Sequence, residues 1–162
     1  MFDFDFATFR TLSSRRDLSV LINFLMIQDL GDLRYPNYED WVQRCEYELD
    51  IGYKTAILTL SYGKLVGNLI YQPHKELPRV RELKNLRIDP NYRFRNFARF
   101  MLRQAEVRDS GSFDLILCDV RADQEPLIYL LTTLGYRKKQ TVSLYDPSTL
   151  DVVMVKDLKR VA

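Results

Sequence analysis

The order in which two hydrophobic periods alternate along the chain constrains the fold more than any single motif. Residues 2–6 alternate Phe with Asp, the period of a half-buried strand running on towards Arg10. Asp17 is read as the cap of a helix in which Leu18, Leu21, Ile22, Leu25 and Met26 form one apolar stripe. After the breaks at Gly31, Pro36 and Asn37, a second stripe of Tyr38, Trp41, Val42, Cys45 and Leu49 runs to a stop at Gly52. The pattern then shortens to strand period over 55–60 and 65–71, around the tight turn Tyr62-Gly63-Lys64. A third strand spans Val80 to Ile88 and is stopped by Asp89-Pro90. Phe97, Phe100, Met101, Gln104 and Ala105 share the face of the next helix, which ends near Asp109 to Gly111. The near-continuous apolar run Leu115 to Val120 predicts a central strand covered on both faces. Glu125-Pro126 opens a last helix with Leu127, Leu130, Leu131 and Leu134 as its core and Gly135 as its end, followed by strands over 136–144 and 152–158. The order β-α-α-β-β-β-α-β-α-β-β predicts a mixed sheet with helices on its faces.

At 162 residues, with 46% hydrophobic and 28% charged, the chain has the size and composition of one packed domain spanning 1–162. No stretch approaches the ~18 apolar residues of a membrane helix, and the start Met1-Phe2-Asp3-Phe4-Asp5-Phe6 lacks the basic flank and apolar run of a signal peptide. The expectation is a cytoplasmic protein without membrane contact. Cys45 and Cys118, far apart and among apolar neighbours, read as buried free thiols. A single histidine, His74, gives no support to a metal centre or a histidine triad and reads as a solvated loop residue.

Charge is concentrated. Residues 79–103 carry eight Lys or Arg against Glu82 and Asp89, a local net of +6 inside a chain whose total is +2, so the remainder is −4. This basic stretch lies where a strand passes through a loop into a helix, and a helix start offers main-chain N–H groups to an anion. The expectation is a phosphate-bearing ligand, the alternative a solvated basic face. Neither the Gly-x-x-x-x-Gly-Lys-Ser/Thr loop nor the Gly-x-Gly-x-x-Gly fingerprint occurs, so nucleotide hydrolases and nicotinamide enzymes find no support.

The segment Arg93-Phe94-Arg95-Asn96-Phe97-Ala98, following the turn at Asp89-Pro90, resembles the Arg/Gln-x-x-Gly-x-Gly/Ala signature of the GNAT superfamily of N-acyltransferases, with Asn96 in place of the central Gly. A second segment, from Gln124-Glu125-Pro126 to Leu134-Gly135-Tyr136, is similar to the family's Asn-Glu-Pro-Ala helix ending in Leu-Gly-Phe. Phe9 to Leu12, Asp17-Leu18 and the hairpin Gly63 to Gly67 look like further parts of the pattern. The resemblance implies an α/β (α+β) fold with a mixed, mostly antiparallel sheet of about seven strands and four helices. It implies acetyl-CoA as co-substrate, lying between the strand ending at Ile88 and the strand from Leu115. Backbone groups of Leu86, Arg87 and Ile88 would pair with the pantetheine arm, and N–H groups of Arg93, Phe94, Arg95, Asn96, Phe97 and Ala98 would hold the pyrophosphate. Arg93 and Arg95 would add charge-assisted contacts, Arg99 would extend the positive stripe, and Arg103 would face water. Gln124 would replace the family's CoA-contacting Asn.

The resemblance further implies direct attack of a neutral amine on the thioester. Glu82 is the base candidate, its alternative being a strand carboxylate paired with Lys84. The family's general-acid Tyr falls at Leu131, and Tyr129 lies on nearly the opposite helix face, as a packing residue. Tyr136 and Tyr145 are substitute candidates, with core and hairpin packing as their alternatives. Asp29, Asp32 and Tyr35, with the turn Tyr145 to Asp151, border the acceptor side and are candidate contacts for a cationic amine. The expected partners are acetyl-CoA and an unidentified amine, with no metal and with a homodimer as one open assembly state. Two other functions stay open: a non-catalytic CoA-binding sensor or interaction domain, and a nucleic-acid-binding module resting on the Arg and aromatic mixture of Tyr92 to Phe100.

Overall fold

A computed structural model describes residues 7–27 and 36–158 of the chain. In chain order the elements are β1 (Ala7–Thr11), α1 (Arg15–Ile27), α2 (Tyr38–Asp50), β2 (Thr55–Ser61), β3 (Lys64–Pro73), β4 (Val80–Ile88), a 3-10 turn (Pro90–Tyr92), α3 (Phe97–Val107), β5 (Leu115–Arg121), α4 (Glu125–Thr133), β6 (Arg137–Val142) and β7 (Asp151–Asp157). The strands form one seven-stranded sheet in the order β1-β2-β3-β4-β5-β7-β6. β4 and β5 run parallel, and β1–β2, β5–β7 and β6–β7 run antiparallel. The parallel pair needs a crossover, which α3 supplies. The mixed, mostly antiparallel architecture and the element order agree with the sequence. The alternating Phe residues 2, 4 and 6 lie outside the described residues, and β1 begins at Ala7. The chain groups into two compact units, one reaching Ile70 and including Asn85–Ala105, the other made of Tyr71–Lys84 and the chain from Glu106 on.

In the first unit, Leu18, Leu21 and Leu25 of α1 and Val42, Cys45 and Leu49 of α2 bury against Ala56, Leu58 and Leu60 of β2 and Leu65 and Ile70 of β3. The helix stripes therefore face the sheet as their period demands. Ser14, not Asp17, caps α1: its hydroxyl accepts the Asp17 N–H at 3.1 Å, and Asp17 instead pairs with Arg10 at 2.7 Å. Gly52, at φ 80°, ends α2 with its N–H on the Leu49 carbonyl. The β2–β3 turn places Tyr62 at φ 49° and Gly63 at φ 79°, the pair of left-handed residues that matches the twist of a two-residue hairpin. Antiparallel β3 and β4 are tied at one end by the Asp89 N–H on the Val66 carbonyl at 2.8 Å. Within that stretch a Cβ on Gly67 would meet Ile88 Cδ1 at 2.8 Å and the Arg87 carbonyl oxygen at 3.1 Å, so the backbones approach where only hydrogen fits.

In the second unit, β5 pairs with β4 over Val80–Leu83 and with β7 along its whole length. Burial alternates along β5: Ile116, Cys118 and Val120 are buried, whereas Leu115, Leu117 and Asp119 are half-buried. The strand is interior to the sheet, with one face buried and the other half-buried where the apolar run predicts cover on both. Arg81 is buried with its guanidinium 4.2 Å from the Tyr71 ring centroid and 3.8 Å from that of Phe113, and it donates to the Arg108 carbonyl at 2.7 Å. Gly135, at φ 94°, closes α4, and Leu131, Leu134 and Tyr136 are buried around it.

Candidate functional site

The loop from Asp89 to Ala98 is built by local chemistry. Asp89 accepts the Asn91 N–H at 2.9 Å, and Pro90 starts the 3-10 turn, so the chain leaves β4 in a fixed direction. Arg93 is extended, and both Phe94 and Asn96 adopt φ 63°, a left-handed conformation on either side of Arg95. The central position of the signature thus keeps the backbone shape a glycine would take, and Asn is among the residues that tolerate it best. The first helical bond of α3 runs from the Phe100 N–H to the Asn96 carbonyl, which leaves the N–H groups of Phe97 and Ala98 ahead of the ladder. The loop thus runs into a helix whose first main-chain N–H groups lie at the positive end of its dipole.

Aromatic contacts hold the helix start. Phe97 meets Phe9 edge to face at 5.8 Å and Phe100 lies 4.2 Å from the same ring, while Met101, Leu102 and Ala105 are fully buried beneath. Phe100 itself stays nearly half exposed, at the edge of the face the sequence assigned to the core. Arg93 Nε donates to the Ile88 carbonyl at 3.3 Å; Arg95 donates to the Asn91 carbonyl at 3.4 Å and sits 5.2 Å over the Tyr92 ring. Leu86, Arg87 and Ile88 are half-buried at the end of β4, and the Ile88 carbonyl is already engaged by Arg93. Arg99 is half-buried and Arg103 exposed on α3.

The basic stretch divides between the two units. Arg79 is bound through two N–H groups to Asp114, Arg81 lies between two rings, and Lys84 pairs with Glu82, all in the second unit. Arg87, Arg93, Arg95, Arg99 and Arg103 belong to the first unit, where the residues from 85 to 105 hold five arginines against Asp89 alone.

Glu82 stands half-buried on β4 and accepts from Lys84 Nζ at 3.0 Å and Gln72 Nε2 at 3.2 Å. The Lys84 pairing is the one the sequence offered as the alternative to a base. Gln72 was missed, because cross-strand register rather than local pattern brings it there. Gln124 precedes α4 without capping it through its side chain; its carbonyl accepts the Ile128 N–H at 3.1 Å. Leu131, where the family has its Tyr, is buried at 1% exposure, and Tyr136 at 2% lies beneath Lys156, whose Nζ is 5.7 Å from the ring centroid.

Two tyrosine readings are corrected. Tyr129 is 73% exposed and not a packing residue, because its face of α4 points to solvent. Tyr145 is 45% exposed, and its hydroxyl donates to the Asp119 carboxylate at 2.5 Å, a short charge-assisted bond rather than hairpin packing. Asp29, Asp32 and Tyr35 lie outside the described residues. His74 is also more than a solvated loop side chain: its Nδ1 accepts the N–H groups of Glu76 and Leu77 at 3.1 and 3.0 Å and fixes the turn before β4. Both cysteines are buried free thiols, and burial pushes each up to about 12. Among the described residues no cluster of three metal-ligating side chains occurs, and no helix is long and apolar enough to cross a membrane.

No family model matches the sequence, and no curated protein matches it by sequence. Solved structures do match the fold. A protein of the GNAT family from Desulfovibrio desulfuricans superposes with a TM-score of 0.77 at 13% identity, over 94% of this chain and 99% of that one. NAA60 from Arabidopsis thaliana, solved with a bisubstrate analogue, matches at TM-score 0.72 and 17% identity over 94% and 98%. The ribosomal-protein-S18-alanine N-acetyltransferase from Escherichia coli matches at 0.69 and 17% over 94% of each chain. With these likenesses covering nearly the whole length, and with the helix-start loop and the α4 motif in their expected places, the chain has the fold of the GNAT N-acetyltransferase superfamily.

Proposed function

We propose that the protein is an N-acetyltransferase that moves an acetyl group from acetyl-CoA to an amine by direct attack. The observation that carries this is the loop from Arg93 to Ala98, where left-handed Phe94 and Asn96 lead into the N-terminus of an 11-residue helix next to Arg93 and Arg95 in the chain. That arrangement suits the pyrophosphate of CoA, and matching structures named as N-acetyltransferases share the fold. Leu86, Arg87 and Ile88 supply main-chain groups for the pantetheine arm, and the Gln124 amide, not spent on capping α4, is a further CoA contact.

Glu82 takes the proton that makes the acceptor amine neutral. The amine nitrogen then bonds to the thioester carbon, the C–S bond breaks, the sulfur leaves with the electron pair, and the second N–H proton passes to water or to the departing thiolate. Leu131 supplies no acid to that sulfur, but a thiol pKa of about 8.5 lets it depart as thiolate or take a proton from water. Tyr136, beneath Lys156, is a weaker candidate for the acid.

Calorimetry with acetyl-CoA tests the assignment. The parent protein binds, and Arg95→Glu loses affinity by about tenfold or more through charge reversal at the loop. Equal dissociation constants for the two proteins would remove the site. With an amine acceptor, Glu82→Gln lowers turnover, followed as thiol release, more than it lowers CoA affinity. The buried Leu131 favours one second reading, a CoA-binding module without catalysis. Tight binding with no thiol release across a broad panel of amines and protein N-termini would select it.

A further inference from the structure

Phe94 is the most exposed large apolar side chain among the described residues, with its whole ring in solvent. It also adopts φ 63°, a conformation that is rare for bulky residues and that glycine takes without steric cost. Local turn geometry therefore explains the backbone but not the ring, which a glycine would omit. The flanking arginines do not cover it: Arg93 turns back to the Ile88 carbonyl, and Arg95 turns to the Asn91 carbonyl and the Tyr92 ring. An aromatic face is thus presented to water at the middle of a basic loop.

Resting on the acyl-CoA reading above, we infer that the Phe94 ring is the stacking platform for the adenine of CoA. The adenine is joined through a single ribose to the pyrophosphate assigned to this loop, so a ring projecting from the loop is within the reach of the base. A purine offers a flat π-face, and stacking needs no defined hydrogen bonds, which suits a side chain that has no polar partner. Phe94 contributes affinity for the nucleotide end of CoA and leaves the reacting end untouched.

The test is calorimetric titration of CoA, and separately of adenosine 3′,5′-bisphosphate, into the parent, Phe94→Ala and Phe94→Trp. Since the ring packs on nothing, all three proteins share one fold, checked by their melting curves. Stacking predicts that Phe94→Ala weakens both ligands by about tenfold, whereas Phe94→Trp matches or exceeds the parent. Parental affinity in Phe94→Ala overturns the inference, and so does Phe94→Trp binding as weakly as Phe94→Ala, since the effect would then lie in the backbone. A parent that binds no CoA overturns the acyl-CoA reading as well. Binding of single-stranded oligoadenylate in place of CoA, lost in Phe94→Ala, overturns the assignment to CoA and makes the ring a nucleic-acid contact.

Discussion

At Cys45 the loss of hydration is the largest influence on the thiol, opposed by Lys54 and reinforced by Glu48; at Cys118 burial acts together with Asp119. Both thiols are pushed up to about 12, so they stay protonated at every working pH. Because the thiolate is the reactive form, only a trace of either cysteine is competent at pH 8 even before access is counted. Iodoacetamide at that pH is expected to leave both cysteines unmodified in the folded protein and to label both in denaturant. Labelling of the native chain at the rate of a free thiol would contradict their burial. Inertness at these two positions was readable from apolar neighbours alone. Backbone conformation was only half readable: Asn96 signals a left-handed site by its residue type, but nothing about Phe94 or Tyr62 does, since turn geometry imposes it on them. Tyr145 went unread for another reason, because its partner Asp119 stands 26 positions away in sequence.

Elements were the most legible level, since periodicity acts within a few residues. The limits of β4 coincide with the apolar pattern from Val80 to Ile88, and Pro126 and Gly135 mark the two ends of α4. Failures came where tertiary covering decides the outcome. Leu115 and Leu117 extend the apolar run of β5, yet they stay half-buried because burial follows the strand's two faces and not its composition. Gly67 shows the converse, a position that looks like part of a common turn motif and proves to be a packing constraint. In Gly67→Ala the added methyl meets the end of the flexible Ile88 side chain, which can rotate, and the Arg87 carbonyl, which must shift by a few tenths of an ångström. A destabilisation of about 1–2 kcal/mol is expected, read as a lower urea midpoint at unchanged slope. CoA affinity should fall with it, because the displaced carbonyl belongs to the strand end assigned to the pantetheine arm. A midpoint equal to the parent's would show that the two backbones have room to spare.

For the whole molecule, net charge is a poor guide to what a ligand meets. The total is +2, but five arginines fall between residues 85 and 105 against Asp89 alone, along one strand end, loop and helix of the first unit. Affinity for CoA should therefore fall severalfold between about 50 and 500 mM salt, where the screening length shortens from about 14 to 4 Å. An affinity unmoved by salt would mean that the loop arginines do not serve the phosphates. The fold class was visible in the sequence because the motifs at Arg93 to Ala98 and Gln124 to Tyr136 occur in order between the right periodicities. The strand order was not visible, since no local pattern says which strand lies between which. The last strand, β7, pairs with β5 from Leu115–Asp157 to Arg121–Asp151 and with β6 on its other side. During synthesis β6 emerges before the strand that will hold it, and the edge of β5 waits for a partner between 30 and 42 residues further along. Closure of this part of the sheet is consequently a late event of long loop length, and slow folding with a transiently open, aggregation-prone edge is the kinetic consequence of that placement.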